Sequence, residues 1–432
     1  MPMATDSEFV QTLRQCMLPD GPLEDIINEF VAEIEERLRE SDVSMLPSGV
    51  VRQNRPGGAH TGEKYLAIDF GGSSVKLGFV SASELSVSWV RTRAVTKRQV
   101  DLQFFDTVVS WICDQVGEYI EENAIESDAQ FVLGTTFSFP LNERGEIMTV
   151  GKGYTLTEEV TGLSVTTILE HSFCRVLEKR ALRFQVQVRG VINDSAAVFL
   201  ANQARNEAGD VSLILGTGIN ACFSLANAEL PEAKQRAGAA DDARVLVNSE
   251  IGFLGAQYVK MTQFDPYGEV PFMPLEYVSS GKWLPLALEK VLRYYGVLPD
   301  SLEGLEFDGK LVCAILSGAT ESILGAERQK QTEEVCRVLV ERAAIYTSCA
   351  LLAVLQLAGH DRKAAGSRVE VGFAGSFLQH CAAYRARIEE LSGGVIELIY
   401  LEHSNLLGAF MHSCEEARAE LATGVDAGKP LT

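Results

Sequence analysis

The stretch that most constrains this chain is Leu66 to Val80, LAIDFGGSSVKLGFV. An apolar run, Leu66-Ala67-Ile68, leads to Asp69, and Val75 to Val80 resumes in extended alternation after two glycines and two serines. The pattern predicts two antiparallel strands joined by a tight turn. Gly71 and Gly72 can take positive φ and let backbone N–H groups approach a ligand. Ser73 and Ser74 add hydroxyl donors, and Lys76 adds a positive charge. Such a turn can cradle a phosphate, and Asp69 at the strand end can help hold a hydrated Mg²⁺. A Gly-Gly turn alone is usually only a turn. It gains weight here from a second strand–turn–strand stretch, LILGTGINACF, over residues 213–223.

The rest of the chain supports an α/β protein with two cores. At 432 residues and 46% hydrophobic content it is long enough for both. A net charge of −21 with no basic block argues against nucleic-acid binding. Nine cysteines contain no C-x-x-C pair, which predicts reduced thiols and a cytoplasmic setting. The opening residues MPMATDSEF predict no secretory or transit peptide. No uninterrupted apolar run predicts a transmembrane segment.

Along the chain, Asp20-Gly21-Pro22 predicts a helix start with Asp20 as cap. Leu23, Ile26, Ile27, Phe30, Val31, Ile34 and Leu38 then recur at helical spacing. Met45 to Ser48 ends that helix, and Arg52 to Gly62 reads as a linker. Strands follow at 85–90, 131–137 and 185–192, with helices at 104–123 and 163–180. After Asn193-Asp194 come a helix at 195–208 and the second turn unit at 211–223. The later part is helix-rich, notably 333–358. A strand at 368–374 leads into Gly375-Ser376, and a last helix runs over about 406–421.

Three pieces carry chemistry: the two turns and an acid at a strand end, Asp194 in VINDSAAVF. Asp194 can accept a proton from an alcohol attacking ATP, with Asn193 orienting the acceptor. The competing reading is that Asp194 or Ser195 merely caps the following helix. Lys152, in VGKGY, can place positive charge near a reacting centre or be a solvated loop lysine. Glu250, Glu276 and Asn220 can pair with sugar hydroxyls, since each O–H needs a partner after desolvation. The two glutamates can equally be surface loop carboxylates.

In order and spacing these segments resemble the eukaryotic hexokinases and glucokinases, from about Met45 to Met411. LAIDFGGSSVKLGFV is similar to the first phosphate motif, TTFSFP and GKGY to the sugar-binding segment, and VINDSAA to the catalytic segment. LGTGINACF is similar to the second phosphate motif, NSEIG and EYVSSGKWL to the flanks of two sugar-binding glutamates, and VGFAGSFLQH to the adenosine motif. The resemblance implies a two-lobed actin-like ATPase (ribonuclease H-like) α/β fold with a central cleft. It implies residues 1–62 as a helix and linker packing on the large domain, 63–195 as the small domain and 196–432 as the large domain. The last helix would be able to return to the small domain.

The implied reaction moves the γ-phosphoryl group of ATP to the 6-hydroxyl of a hexose, glucose above all, with Mg²⁺ and with Asp194 as general base. Ser138, Phe139, Lys152, Asn193, Asn220, Glu250 and Glu276 would line the sugar. Asp69, Gly71, Gly72, Ser73, Ser74 and Lys76 would face phosphates and metal, with Gly216, Thr217 and Gly218 opposite and Gly375 and Ser376 near adenosine.

The chain departs from the family where Gly151 replaces a threonine, where Ala374 replaces an aspartate, in Ser280–Pro285 and in Glu402–Leu407. Retained acids favour an active hexose kinase. The altered nucleotide side favours a sugar-sensing relative with weak or no transfer and a regulatory protein partner.

Overall fold

The alternation in Leu66 to Phe70 becomes a central strand buried on both faces. The computed structural model describes residues 6–51, 63–72, 74–97, 99–139, 141–142, 144–147, 155–206, 209–266, 268–269, 271–298, 306–361 and 368–423. Its strands are β1 (Leu46–Val51), β2 (Lys64–Phe70), β3 (Ser74–Ser81), β4 (Ser86–Ala94), β5 (Gln99–Val100), β6 (Gln130–Phe137) and β7 (Thr155–Leu156). They continue as β8 (Gln185–Asn193), β9 (Val211–Leu215), β10 (Ile219–Ala226), β11 (Arg244–Asn248), β12 (Val369–Ala374) and β13 (Ile396–Tyr400).

Two compact units share the chain. One, here the hairpin unit, comprises Leu46–Ala208, Ser224–Asn248 and Leu401–Thr432. The other, the long-helix unit, comprises Met1–Met45, Gly209–Phe223 and Ser249–Tyr400. The sequence reading divides the chain at 62 and 195, whereas contacts divide it at 45, 208, 223, 248 and 400. The last helix, Ser404–Thr423, lies in the hairpin unit.

The hairpin unit is built on a mixed sheet of order β4-β3-β2-β6-β8, antiparallel across β4-β3-β2 and parallel across β2-β6-β8. Side chains alternate across a strand. Leu66, Ile68 and Phe70 therefore join the core made with helices Leu102–Glu122 and Val165–Arg180. Those helices begin at Asp101 and Ser164, whose side chains accept from Phe104 N and Thr167 N. Tyr65 and Ala67 face the other way, toward helix Ser404–Thr423, and the Tyr65 ring meets Phe410 edge-on at 4.8 Å.

That helix is pressed onto its neighbours backbone to backbone. A Cβ on Gly134 of β6 would stand 2.2 Å from the Ala409 carbonyl oxygen. One on Gly408 would stand 2.0 Å from the carbonyl oxygen of Ala197, in helix Asp194–Arg205. No side chain fits at either position.

In the long-helix unit, β10 from Ile219, β9, β12 and β13 run in that order, with β9 antiparallel to β10 and β9, β12 and β13 parallel. Helix Ala326–Leu357 is by length and composition apolar enough to cross a bilayer, but 94% of its most apolar stretch is buried inside the protein, as in a core helix. Helices Asp6–Met17 and Leu23–Glu40 pack against it. Arg342 in its middle is fully buried and bidentate to Asp265, at 2.6 and 2.9 Å. Asp265 also accepts from the amide and hydroxyl of Thr262. Paired and hydrogen-bonded in this way, the two charges are tolerated in a dry core.

Two boundaries differ from the sequence reading. Pro22 occupies the cap position of Leu23–Glu40 with no side-chain cap, and Asp20 instead pairs with Lys260 Nζ at 3.0 Å. Leu46 to Ser48 is not a helix end but the start of β1, antiparallel to β11.

Two outcomes follow. Gly408→Ala should cost at least about 1–3 kcal/mol in denaturant unfolding, because backbone must separate to admit the methyl group. His412 in the last helix is buried, and burial pushes its imidazole down to about 4. The unfolded chain thus binds a proton near pH 6.5 that the folded chain resists until about pH 4. Stability from this group is present above the unfolded value and lost as pH falls through that window, by about 3 kcal/mol at most. Glu416, half-exposed but pushed up by partial desolvation, acts in the opposite sense. His412 Nε2 lies 3.9 Å from Glu416 Oε1, so unfolding of Glu416→Gln and of the double variant Glu416→Gln/His412→Gln compared between pH 7 and about pH 4 isolates the histidine, and the double variant should show the shallower loss.

Candidate functional site

Residues singled out in the sequence fall into two sets, one in each unit. In the hairpin unit, β2 and β3 pair Asp69 with Lys76 and Phe70 with Val75. The turn between them closes with Gly71 N–H donating to Ser74 O at 3.0 Å. Gly71 does not take a positive φ, contrary to expectation; glycine is needed because a Cβ would lie 2.9 Å from that same carbonyl. Asp69 is 3% exposed, and its Oδ1 accepts from Thr136 Oγ1 at 2.8 Å. Lys76 is exposed and Ser74 half-buried. Ser73, Gly151 and Lys152 lie outside the described residues.

Ser138 follows β6, its N–H donating to Phe70 O at 3.1 Å. Phe139 turns its ring into the core, 5.4 Å from Phe137, so a sugar would meet its main chain rather than its ring.

β8 ends at Asn193, and helix Asp194–Arg205 begins at the next residue. Asn193 is the cap: its Oδ1 accepts from Ser195 N at 2.9 Å. Ser195 Oγ lies 2.7 Å from the same oxygen and 3.0 Å from Asn248 Oδ1, anchoring the helix start to β11. Neither Asp194 nor Ser195 is the cap. Asp194 occupies the first helical position, 7% exposed, where the helix N-terminus favours a negative charge. With its carbonyl oxygen committed to the cap, Asn193 has only its amide NH₂ to offer an acceptor.

In the long-helix unit, Asn220, Glu250 and Glu276 converge. Asn220 Nδ2 donates to Glu250 Oε1 at 3.2 Å, and Asn220 Oδ1 accepts from Glu250 N at 2.9 Å. Glu276 Oε2 accepts from Ile219 N at 3.3 Å. All three are under a tenth exposed, so none is a solvated surface group. Glu250 holds a left-handed backbone, φ 51° and ψ 47°, an unfavourable conformation for a residue with a side chain.

Alongside them the glycine turns meet. Gly216 N–H donates to Gly218 O at 3.0 Å, and Gly216 O accepts from Gly281 N at 2.8 Å. Gly375, at φ +119°, backs onto Gly216: a Cβ there would stand 2.4 Å from the Leu215 carbonyl. Thr217 and Ser376 are exposed at the tips of their turns.

A family model described as hexokinase matches residues 8–204, and a second so described matches 210–295 and 300–411. The chain is 25% identical over 449 residues to N-acetylglucosamine kinase 1 of Candida albicans, covering 88% of each protein. It is 23% identical over 438 residues to hexokinase-1 of Spinacia oleracea, covering 90% of this chain and 86% of that one. It is 29% identical over 276 residues to hexokinase-1 of Homo sapiens, covering 57% of this chain but only 27% of that protein. Among solved structures, the hexokinase from Schistosoma mansoni complexed with glucose superposes with a TM-score of 0.74 at 20% identity, covering 95% of this chain and 100% of that one. The fold is thus the two-lobed, actin-like α/β fold of the hexokinases.

Because Asn193 and not Asp194 caps the helix, Asn193→Ala should lower stability by about 0.5–2 kcal/mol in chemical denaturation. Asp194→Ala should lower it less; equal losses would show that Asp194 carries the cap.

Proposed function

This chain belongs to the hexokinase family, and we propose that it transfers the γ-phosphoryl group of ATP to the 6-hydroxyl of a hexose, with Asp194 as general base. The observation that carries this reading is the cap. Asn193 supplies it, so helix capping does not account for a buried carboxylate at Asp194. A carboxylate at a helix start, next to an amide that can orient a hydroxyl, suits removal of a proton from an attacking alcohol.

Asn220, Glu250 and Glu276 would take up ring hydroxyls. Their mutual hydrogen bonds hold carboxylate and amide oxygens in place before a sugar arrives. Thr217 and Gly218, in the turn closed by Gly216, and Gly375-Ser376 would offer main-chain N–H groups to the nucleotide. The first turn and Asp69 would serve the phosphates. Among the described residues no three His, Cys, Asp or Glu side chains gather to hold a metal. An oxygen donor such as Asp69, held by Thr136, fits Mg²⁺ bound through water and phosphate oxygens, where the ion would neutralise phosphate charge.

The match to an N-acetylglucosamine kinase along 88% of both chains favours testing a 2-acetamido sugar beside glucose. Purified protein with Mg·ATP and glucose, fructose, mannose or N-acetylglucosamine should release ADP and sugar phosphate, at about 1–100 s⁻¹ for the preferred sugar. Calorimetric sugar binding without turnover on any of the four would overturn the enzyme reading in favour of a sugar sensor. Neither binding nor turnover would leave the fold without the function.

A further inference from the structure

Two residues of helix Leu23–Glu40 reach the segment that carries the acids of the long-helix unit. Glu33 Oε1 accepts from Arg37 Nε at 2.8 Å, one turn along the same helix. Glu33 Oε2 accepts from Gly255 N–H at 2.8 Å and from the Tyr258 hydroxyl at 2.9 Å. Arg37 Nη2 donates to Phe253 O at 3.0 Å. One carboxylate and one guanidinium thus hold the chain on both sides of Leu254. We propose that Glu33 and Arg37 are positioning residues for sugar binding, setting Glu250 and Glu276 in place from outside the site. Their role rests on the assignment of those two acids to ring hydroxyls made above.

The path from this clamp to each acid is short. Glu250 leads straight into the 3₁₀ turn Ile251–Phe253, where Phe253 N–H donates to Glu250 O at 3.1 Å. Phe253 is therefore bonded to Glu250 through its N–H and to Arg37 through its carbonyl. Toward the other acid, Leu254 O accepts from Leu275 N–H at 3.2 Å, and Leu275 precedes Glu276 in helix Pro274–Ser279. Gly252 lets the two stretches touch: a Cβ on it would stand 3.3 Å from Glu276 Cβ.

A left-handed glutamate persists only where its surroundings over-determine it. Asn220 holds Glu250 from one side, and Arg37 holds the turn that follows it from another element. Gly255, at φ +97°, turns the chain so tightly that a Cβ would stand 2.1 Å from Val259 Cγ2, and Glu33 fastens that turn by its amide. The Tyr258 ring meets Phe30 of the same helix edge-on at 4.8 Å. Burial, and next the charge of Glu33, push the Tyr258 phenol well up, so it remains a donor to the carboxylate. Hydrogen bonds to an ionised group are stronger than neutral ones and hold geometry better.

The test measures binding of glucose, fructose, mannose, N-acetylglucosamine and Mg·ATP to the full chain by calorimetry. In Glu33→Gln one accepting oxygen becomes a donor amide, so either Arg37 or the Gly255 and Tyr258 donors lose their acceptor. Affinity for the preferred sugar should fall about tenfold, the competent arrangement then being populated about one-tenth as often, while Mg·ATP affinity holds. Tyr258→Phe removes one donor and leaves Gly255 bonded; it should cost about two- to threefold, and it decides the matter if Glu33→Gln does not fold. Glu36→Gln, exposed on the same helix, should change nothing. In a transfer assay the KM for sugar should rise while kcat and the KM for ATP hold, a split that loosening of the whole unit does not give. Wild-type sugar affinity in Glu33→Gln and Tyr258→Phe would overturn the proposal and leave the assignment of the acids standing. Equal losses for sugar and Mg·ATP would overturn it too, as loosening alone. A wild type that binds none of the sugars would instead refute the sugar-site reading itself.

Discussion

The hairpin unit depends on how closely helix Ser404–Thr423 can approach its neighbours. Close contact of backbones is possible only because side chains are missing where they meet. Gly408 lets this helix touch the turn of Asp194–Arg205 around Ala197, and Gly134 lets it lie against β6. Gly78 of β3 and Gly190 of β8 leave similar clearance for Leu406 and His412. Packing this tight gives dense dispersion contact and leaves little room to slide. The helix so held is the one whose first residue is Asp194. Its start is fixed a second time by the Asn193, Ser195 and Asn248 contacts to β8 and β11. A base must sit within a few tenths of an ångström of its working position. Backbone contact and cap would give that precision to the base proposed at Asp194 without using the carboxylate as the cap.

The long-helix unit has a different problem, holding the buried carboxylates of Glu250 and Glu276 beside Asn220. Glu250 is kept in a left-handed conformation by hydrogen bonds through its own N–H and side chain to Asn220. That strain, typically about 1–3 kcal/mol, has to be met by the rest of the unit. The buried Arg342–Asp265 pair ties the middle of the long helix to the segment that follows Glu250. In a chain of net charge −21, phosphate would be met largely by main-chain N–H groups at glycine turns, which carry no charge to be neutralised.

Much of this was legible locally. The β2–β3 hairpin, the β9–β10 turn and the strand into Asn193-Asp194 are short-range patterns of alternation and glycine, and they fold as such. Asn220, Glu250 and Glu276 were found as acids and amide in loops with a family resemblance. What was hidden is tertiary. The cap shifted from Asp194 to Asn193 because Asn248, 53 residues beyond Ser195, helps fix the turn. The helix Asp6–Met17 is an exception: Phe9, Val10, Leu13, Cys16 and Met17 recur at helical spacing, and the helix packs on the long helix. The long helix reads as a membrane candidate because its own face pattern is erased by burial on all sides. The positive φ of Glu250 has no counterpart in sequence spacing.

The account turns on Asp194 as base, and the most direct measurement is single-turnover phosphoryl transfer by Asp194→Asn, with sugar affinity measured in the same preparation. The account predicts that sugar still binds within several-fold of wild type while transfer falls by about 10²–10⁴. Transfer at the wild-type rate with sugar bound would contradict it, and would move the base to another residue.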